Sequence, residues 1–126
     1  KLTKNHAKEE LEHAKKFYDY LILRNEKVSL FEIEAPDTNW NNPIDAINAA
    51  LDHEKFVSDH INRLYKESKE KGDYALEVFM GWFVNEQVEE EHLFQSMLDK
   101  MSYIKDCSCE IVNIDRELKI ENEYVE

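Results

Sequence analysis

Residues 76–101 read LEVFMGWFVNEQVEEEHLFQSMLDKM and carry the strongest structural signal in the chain. Its large apolar residues recur at alternating steps of four and three, a spacing that places them on one face of an α-helix inside a helical bundle. Two polar residues, Gln87 and Glu90, stand in the middle of this apolar stripe. A carboxylate buried alone is strongly unfavourable. We therefore expect Glu90 to be compensated by a partner group or a cation.

The same anomaly occurs in two other segments with a helical pattern. In residues 43–71, Glu54 lies among apolar residues at heptad spacing. In residues 1–24, Glu10 and His13 lie one helical turn apart on an apolar face. One such residue is more often a satisfied core group than a ligand, but three segments with the same feature favour a shared metal centre. Mixed carboxylate and imidazole ligands suit iron or manganese better than calcium.

Helix breakers divide the chain into three long helices and a short one. The predicted helices span residues 1–24, 43–71, 73–102 and 109–119. Asn42 followed by Pro43 predicts a helix start, and Gly72 predicts the end of that helix. The connection between the first two helices is much longer than the roughly 2 to 8 residues that antiparallel neighbours need. This length predicts the long crossover of an all-α four-helix bundle, with the whole chain as a single domain.

The composition is acidic, with a formal net charge of −12 over 126 residues. Such a charge repels nucleic acid and anionic lipid and attracts cations, although it also serves solubility alone. No stretch approaches the roughly 18 apolar residues of a membrane span, and no secretory signal is visible. Cys107 and Cys109 are too close in sequence for an easy disulfide. Free thiols in a reducing cytoplasm are the simpler interpretation.

The remaining histidines give weaker signals. A second E-x-x-H pair, Glu89 with His92, lies off the apolar stripe of its helix, and we expect His92 at the surface or lining a cavity. The other three have no partner at ligand spacing on a core face and are predicted to be structural or exposed: His6, His53 and His60.

Five motifs, in this order, resemble the prokaryotic non-haem ferritins of the ferritin-like di-iron family. They are HAKEELEHAKKFYDYL, W-x-x-P followed by ALDHEK, GDYA, WFVNEQVEEE and IVNIDREL, the last resembling the short fifth helix of those subunits. The resemblance implies iron storage with ferroxidase activity, in which Fe(II) is oxidised with oxygen or peroxide. It also implies a cytoplasmic shell of twenty-four subunits around a ferric mineral.

The resemblance also implies roles for individual residues. Five positions match the ferroxidase centre: Glu10, His13, Glu54, Gln87 and Glu90. In that centre, Glu10 and His13 hold the first iron, and Glu10 bridges to a second iron held by Glu54 and Glu90. Gln87 matches a polar residue that helps to orient oxygen or water. Three positions match an outer, third iron site on the cavity side: Glu9, Glu86 and Glu89.

One feature of the sequence supports the ferritin resemblance, and another departs from the family pattern. The pattern Gln87-x-x-Glu90, in place of Glu-x-x-His, resembles ferritin more than haem-containing bacterioferritin. The sequence begins partway down what matches the family's second helix, so we expect a preceding helix that this sequence lacks. Without such a helix or a neighbouring chain, an apolar groove lined by Phe17, Phe83 and Phe94 would be open to solvent.

Two alternative functions fit the same residues. One is a di-iron carboxylate oxidase or peroxide reductase on the same fold that stores nothing. The other is an acidic structural helical module without catalysis, in which the glutamates are protonated or form salt bridges.

Overall fold

The computed structural model of the chain describes residues 2–36 and 39–106. Within this part the chain forms three α-helices: α1 Leu2–Leu23, α2 Pro43–Glu70 and α3 Tyr74–Asp106. All the regular structure in these ranges is helical, which confirms the all-α prediction. Cys107, Cys109 and the predicted short helix 109–119 lie outside the described residues.

The described chain divides into two compact units. One contains α1 and the chain up to Pro36, and the other contains α2 and α3. The prediction of one domain spanning residues 1–126 stays a prediction.

The start of α2 follows the predicted capping chemistry. Asn42 has an extended backbone, and its side-chain Oδ1 accepts a hydrogen bond of 2.9 Å from the backbone N–H of Asp45. Pro43 occupies the first helical turn, where its missing N–H leaves no hydrogen bond unmade. Asp45 places a negative charge in the first turn, where the helix dipole favours it.

A tight turn joins α2 to α3. Gly72 has a φ of +66°, in the left-handed region that glycine adopts at low cost. The backbone N–H of Asp73 reaches back to the carbonyl of Ser68 at 2.9 Å, which closes the end of α2. The side chain of Asp73 then accepts a hydrogen bond from the N–H of Leu76 and caps α3. Both the end at Gly72 and the cap at Asp73 agree with the sequence.

The other helix ends differ slightly from the prediction. Asn25, with a φ of +59°, ends α1 in the way that Gly72 ends α2. Helix α3 continues to Asp106 instead of ending at residue 102, because residues 102–106 contain neither glycine nor proline.

The heptad stripe of α3 is buried along its centre. Met80, Phe83, Phe94 and Met97 are all buried, together with Leu51 and Ile61 of α2, and α2 packs along α3. Phe83 is only 2% exposed and Phe94 is 8% exposed, so the prediction that these two residues would be open to solvent without a further helix or a neighbouring chain is wrong. Leu64, which continues the apolar spacing of α2 beyond Ile61, is exposed.

No helix in the described residues is long and apolar enough to cross a membrane.

Candidate metal centre

The interface between α2 and α3 buries a set of polar side chains. Glu54 is 4% exposed, Gln87 is 5% exposed and Glu90 is 6% exposed. All three were predicted from the apolar stripes that surround them, and the structure confirms their burial. Carboxylates at this depth need hydrogen bonds or positive charge to offset lost hydration.

The side-chain amide of Gln87 connects the two helices. Its Nε2 donates to the Oε2 of Glu54 at 3.1 Å and to the backbone carbonyl of Glu54 at 3.2 Å. The same nitrogen lies 3.2 Å from the Oγ of Ser58, so its two protons are shared among three acceptor oxygens. Gln87 therefore fixes one oxygen of the buried Glu54 carboxylate.

Ser58 extends this network away from Glu54. Its hydroxyl donates to the Oε1 of Glu91 on α3 at 2.5 Å. Ser58 is buried, whereas Glu91 is half-buried. A continuous hydrogen-bonded chain thus runs from Glu54 through Gln87 and Ser58 to Glu91.

Glu90 brings more negative charge to the same helix pair. One carboxylate oxygen of Glu90 lies within 4.8 Å of one of Glu54, and an oxygen of Glu90 lies within 4.8 Å of one of Glu86. Carboxylate oxygens at such separations can share a cation, and like charges so close together repel each other without one. The α2–α3 unit by itself therefore offers several oxygen ligands in one place.

Helix α1 gathers its own ligand atoms on one face. The Oε1 of Glu10 lies 4.0 Å from the Nδ1 of His13 and 3.7 Å from the Nε2 of His6. His13 is half-buried, but the Glu10 side chain is 48% exposed, more than its predicted place in an apolar stripe implies. The contact between His6 and Glu10 was not predicted; it forms because residues four apart on a helix are neighbours.

The predicted outer glutamates differ in burial. Glu86 is half-buried, while Glu89 and Glu9 are exposed. His92 is exposed as expected, and its Nε2 lies 3.3 Å from the Oγ of Ser96.

The structure thus groups the predicted residues within each unit. Glu54, Gln87 and Glu90 come together between α2 and α3, and Glu10 and His13 share a face of α1. The convergence of these two groups on one metal centre stays a prediction. Ser58 and Glu91 were not predicted from the sequence. Their only signal is their spacing, since Ser58 lies four residues after Glu54 and Glu91 lies four residues after Gln87.

The sequence profile of the ferritin-like domain matches residues 1–104. The chain belongs to the ferritin family. The matched residues contain all eight positions named for the ferroxidase centre and the third iron site.

Similar proteins place this ferritin chain among prokaryotic members. It is 34% identical over 113 residues to a probable bacterial non-heme ferritin-like protein of Haemophilus influenzae, covering 90% of this chain and 68% of the relative. It is 37% identical over 99 residues to the bacterial non-heme ferritin of Campylobacter jejuni, covering 79% of this chain and 59% of the relative.

Solved structures agree with this placement. The open pore ferritin of the hyperthermophilic archaeon Archaeoglobus fulgidus matches with a TM-score of 0.83 and 32% sequence identity. That match covers 88% of this chain and 68% of the archaeal chain. The ferritin-like fold prediction is confirmed, and the chain spans about two thirds or less of the length of these relatives.

Proposed function

We propose that this ferritin chain binds Fe(II), oxidises it to Fe(III) and stores the product as ferric mineral. One observation carries the proposal: Glu54 and Glu90, on neighbouring helices, are both buried and present carboxylate oxygens within 4.8 Å of each other. Two buried carboxylates do not stabilise the fold by themselves, since apolar residues of similar volume give equal or higher stability at such positions. A cation that both carboxylates bind turns this arrangement into an advantage.

The division of roles follows the family pattern. By this pattern Glu10 and His13 would bind the first iron, Glu54 and Glu90 would bind the second, and Glu10 would be the shared ligand. Gln87 holds the Glu54 carboxylate by the hydrogen bond described above, so that this ligand is oriented before iron arrives. Iron is the substrate of the centre, and it leaves for the mineral after oxidation.

The reaction balances with oxygen as the oxidant. Two Fe(II) ions give up one electron each, and one oxygen molecule takes both electrons with two protons and leaves as hydrogen peroxide. Peroxide itself can serve as the oxidant, accepting two electrons and two protons to form two water molecules. Carboxylate ligands favour this chemistry because a hard anionic oxygen stabilises the trivalent ion more than the divalent one.

Three outer glutamates complete the proposal: Glu9, Glu86 and Glu89. They form a looser third site that receives iron on its way to the cavity. The half-buried Glu86 is near enough to Glu90 to connect the centre with this outer group. A cytoplasmic shell of twenty-four copies is part of the same proposal.

Stoichiometric Fe(II) oxidation tests the function. Fe(II) is added without oxygen, oxygen is then admitted, and Fe(III) formation is followed by near-ultraviolet absorbance against a protein-free blank. We expect Glu54→Ala and Glu90→Ala each to slow oxidation by at least about tenfold, since even partners of metal ligands cost 10- to 100-fold when removed.

The matched control is Glu70→Ala, which removes an exposed glutamate of α2 whose ion pair with Lys66 lies at the surface. Its oxidation rate should equal that of the unaltered chain. Rates that stay unchanged in Glu54→Ala and Glu90→Ala would overturn the proposed centre. Light scattering would separate a storage shell from a small oxidase, and a particle that never exceeds a few subunits would rule out storage.

A further inference from the structure

Two buried serines of α2 use their hydroxyl groups differently. The Oγ of Ser68 donates to the backbone carbonyl of Tyr65 at 2.6 Å, the local bond that a serine inside a helix commonly makes. Ser58 instead donates across the interface to Glu91 and accepts from Gln87. Its hydroxyl therefore joins the two helices and does not serve its own helix.

The hydrogen bond from Ser58 to Glu91 determines which groups donate and which accept in the rest of the network. Because the single hydroxyl proton of Ser58 points at Glu91, only lone pairs of Ser58 face Gln87. The side-chain amide of Gln87 must then present its NH₂ group to Ser58. A flipped amide would place the carbonyl oxygen of Gln87 against three acceptors, namely the Ser58 oxygen and two oxygens of Glu54.

We propose that Ser58 and Glu91 are positioning residues that act through Gln87 on the Glu54 carboxylate. The inference rests on the proposed function in one respect, that Glu54 is a metal ligand. Glu91 accepts the hydrogen bond from the Ser58 hydroxyl, which leaves the Ser58 oxygen as an acceptor for Gln87. This sets the orientation of the Gln87 amide, and the amide then donates to the Oε2 of Glu54. The result is a carboxylate whose rotamer is set from outside the ligand group before a metal binds.

Co(II) binding provides a readout that does not depend on oxidation. Co(II) suits mixed oxygen and nitrogen sites, and its visible absorption reports both affinity and coordination geometry. Using the full chain, we expect Ser58→Ala to weaken Co(II) binding by about 2- to 10-fold, the equivalent of one neutral hydrogen bond. Ser58→Thr keeps the hydroxyl and should bind within about twofold of the unaltered chain.

Two comparisons separate positioning from mere packing. Ser68→Ala removes the other buried serine of α2 and should leave Co(II) affinity and spectrum unchanged. In a Gln87→Leu background, Ser58→Ala should have no further effect on affinity, because the residue through which it acts is gone.

Glu91 is tested by a second pair of variants. Glu91→Ala removes the acceptor for the Ser58 proton and should weaken Co(II) binding to the same extent as Ser58→Ala. Glu91→Gln keeps an acceptor oxygen and should stay within about twofold of the unaltered chain. Circular dichroism of each variant verifies that the helices are intact.

The possible outcomes distinguish the two proposals. If the unaltered chain binds no Co(II), the proposed function fails and this inference fails with it. If Co(II) binds and Ser58→Ala matches the unaltered chain, the inference alone is overturned. An equal loss for Ser58→Ala with and without Gln87 would also overturn it, since Ser58 would then act by another route.

Discussion

Replacing Gln87 by glutamate should place a second carboxylate directly against Glu54. The Nε2 of Gln87 lies 3.1 Å from the Oε2 of Glu54 and would be replaced by an anionic oxygen. At that separation two unit charges repel by about 5 kcal/mol with an effective dielectric constant of 20. We therefore expect Gln87→Glu to destabilise the metal-free protein at neutral pH.

The destabilisation by Gln87→Glu cannot exceed the free energy needed to protonate the introduced carboxyl group. An ordinary glutamate has a pKa of about 4.3, so keeping the introduced carboxyl protonated at pH 7 costs about 4 kcal/mol. The folded variant then holds a proton that its unfolded form releases, so its stability rises as the pH falls towards 5. Gln87→Leu, which removes the hydrogen bonds without adding charge, should cost only about 1–3 kcal/mol and show a smaller pH dependence.

Urea unfolding followed by far-ultraviolet circular dichroism measures the difference. The two variants and the unaltered chain are compared at one protein concentration, in the presence of a chelator, at pH 7 and pH 5. We expect Gln87→Glu to have a lower free energy of unfolding than Gln87→Leu at pH 7, and we expect this difference to be smaller at pH 5. Equal stability at pH 7 would refute the reasoning, because it would mean that Glu54 carries no negative charge in the metal-free protein.

Two further predictions concern the helix ends. Asn42→Ala removes the cap of α2 and should lower the free energy of unfolding, measured by urea titration, by about 1 kcal/mol. Asn41→Ala is the control, and an equal loss of stability in that variant would contradict the assignment of the cap. Gly72→Ala meets no atom within 4 Å, so the left-handed backbone alone should cost about 1 kcal/mol. Gly81→Ala makes only an ordinary contact with Tyr65 and should be neutral or stabilising, and the same sign for both glycine variants would be evidence against backbone strain at Gly72.

The helices and their buried carboxylates could be predicted from the sequence because each has a local signal. Asn42 with Pro43 and the isolated Gly72 mark helix ends by chemistry that depends on a few neighbouring residues. Glu54, Gln87 and Glu90 stand out because an apolar stripe continues on both sides of them. Such a pattern predicts burial of a residue without any knowledge of its partners.

The partners themselves have no such signal. Ser58 is a small polar residue in a helix, and only the packing of α3 decides whether its hydroxyl bonds its own backbone or Glu91. The E-x-x-H motif contains Glu10 and His13 only, whereas His6 lies one helical turn before Glu10 and is outside the motif. The exposure of Glu10 likewise depends on what surrounds α1, which a stripe of spaced residues does not describe.

The tight turn at Gly72 has a consequence for the order in which the molecule folds. Glu54 and Gln87 are 33 residues apart in sequence, yet the helices that carry them are joined by a turn of only a few residues. Closing so short a connection loses little chain entropy, and contacts of this kind form early in folding. We therefore expect the α2–α3 hairpin to form early in folding, with the carboxylates of Glu54 and Glu90 already side by side. A newly made chain would then meet cations with two of the four proposed metal ligands already in place, before the rest of the polypeptide has folded.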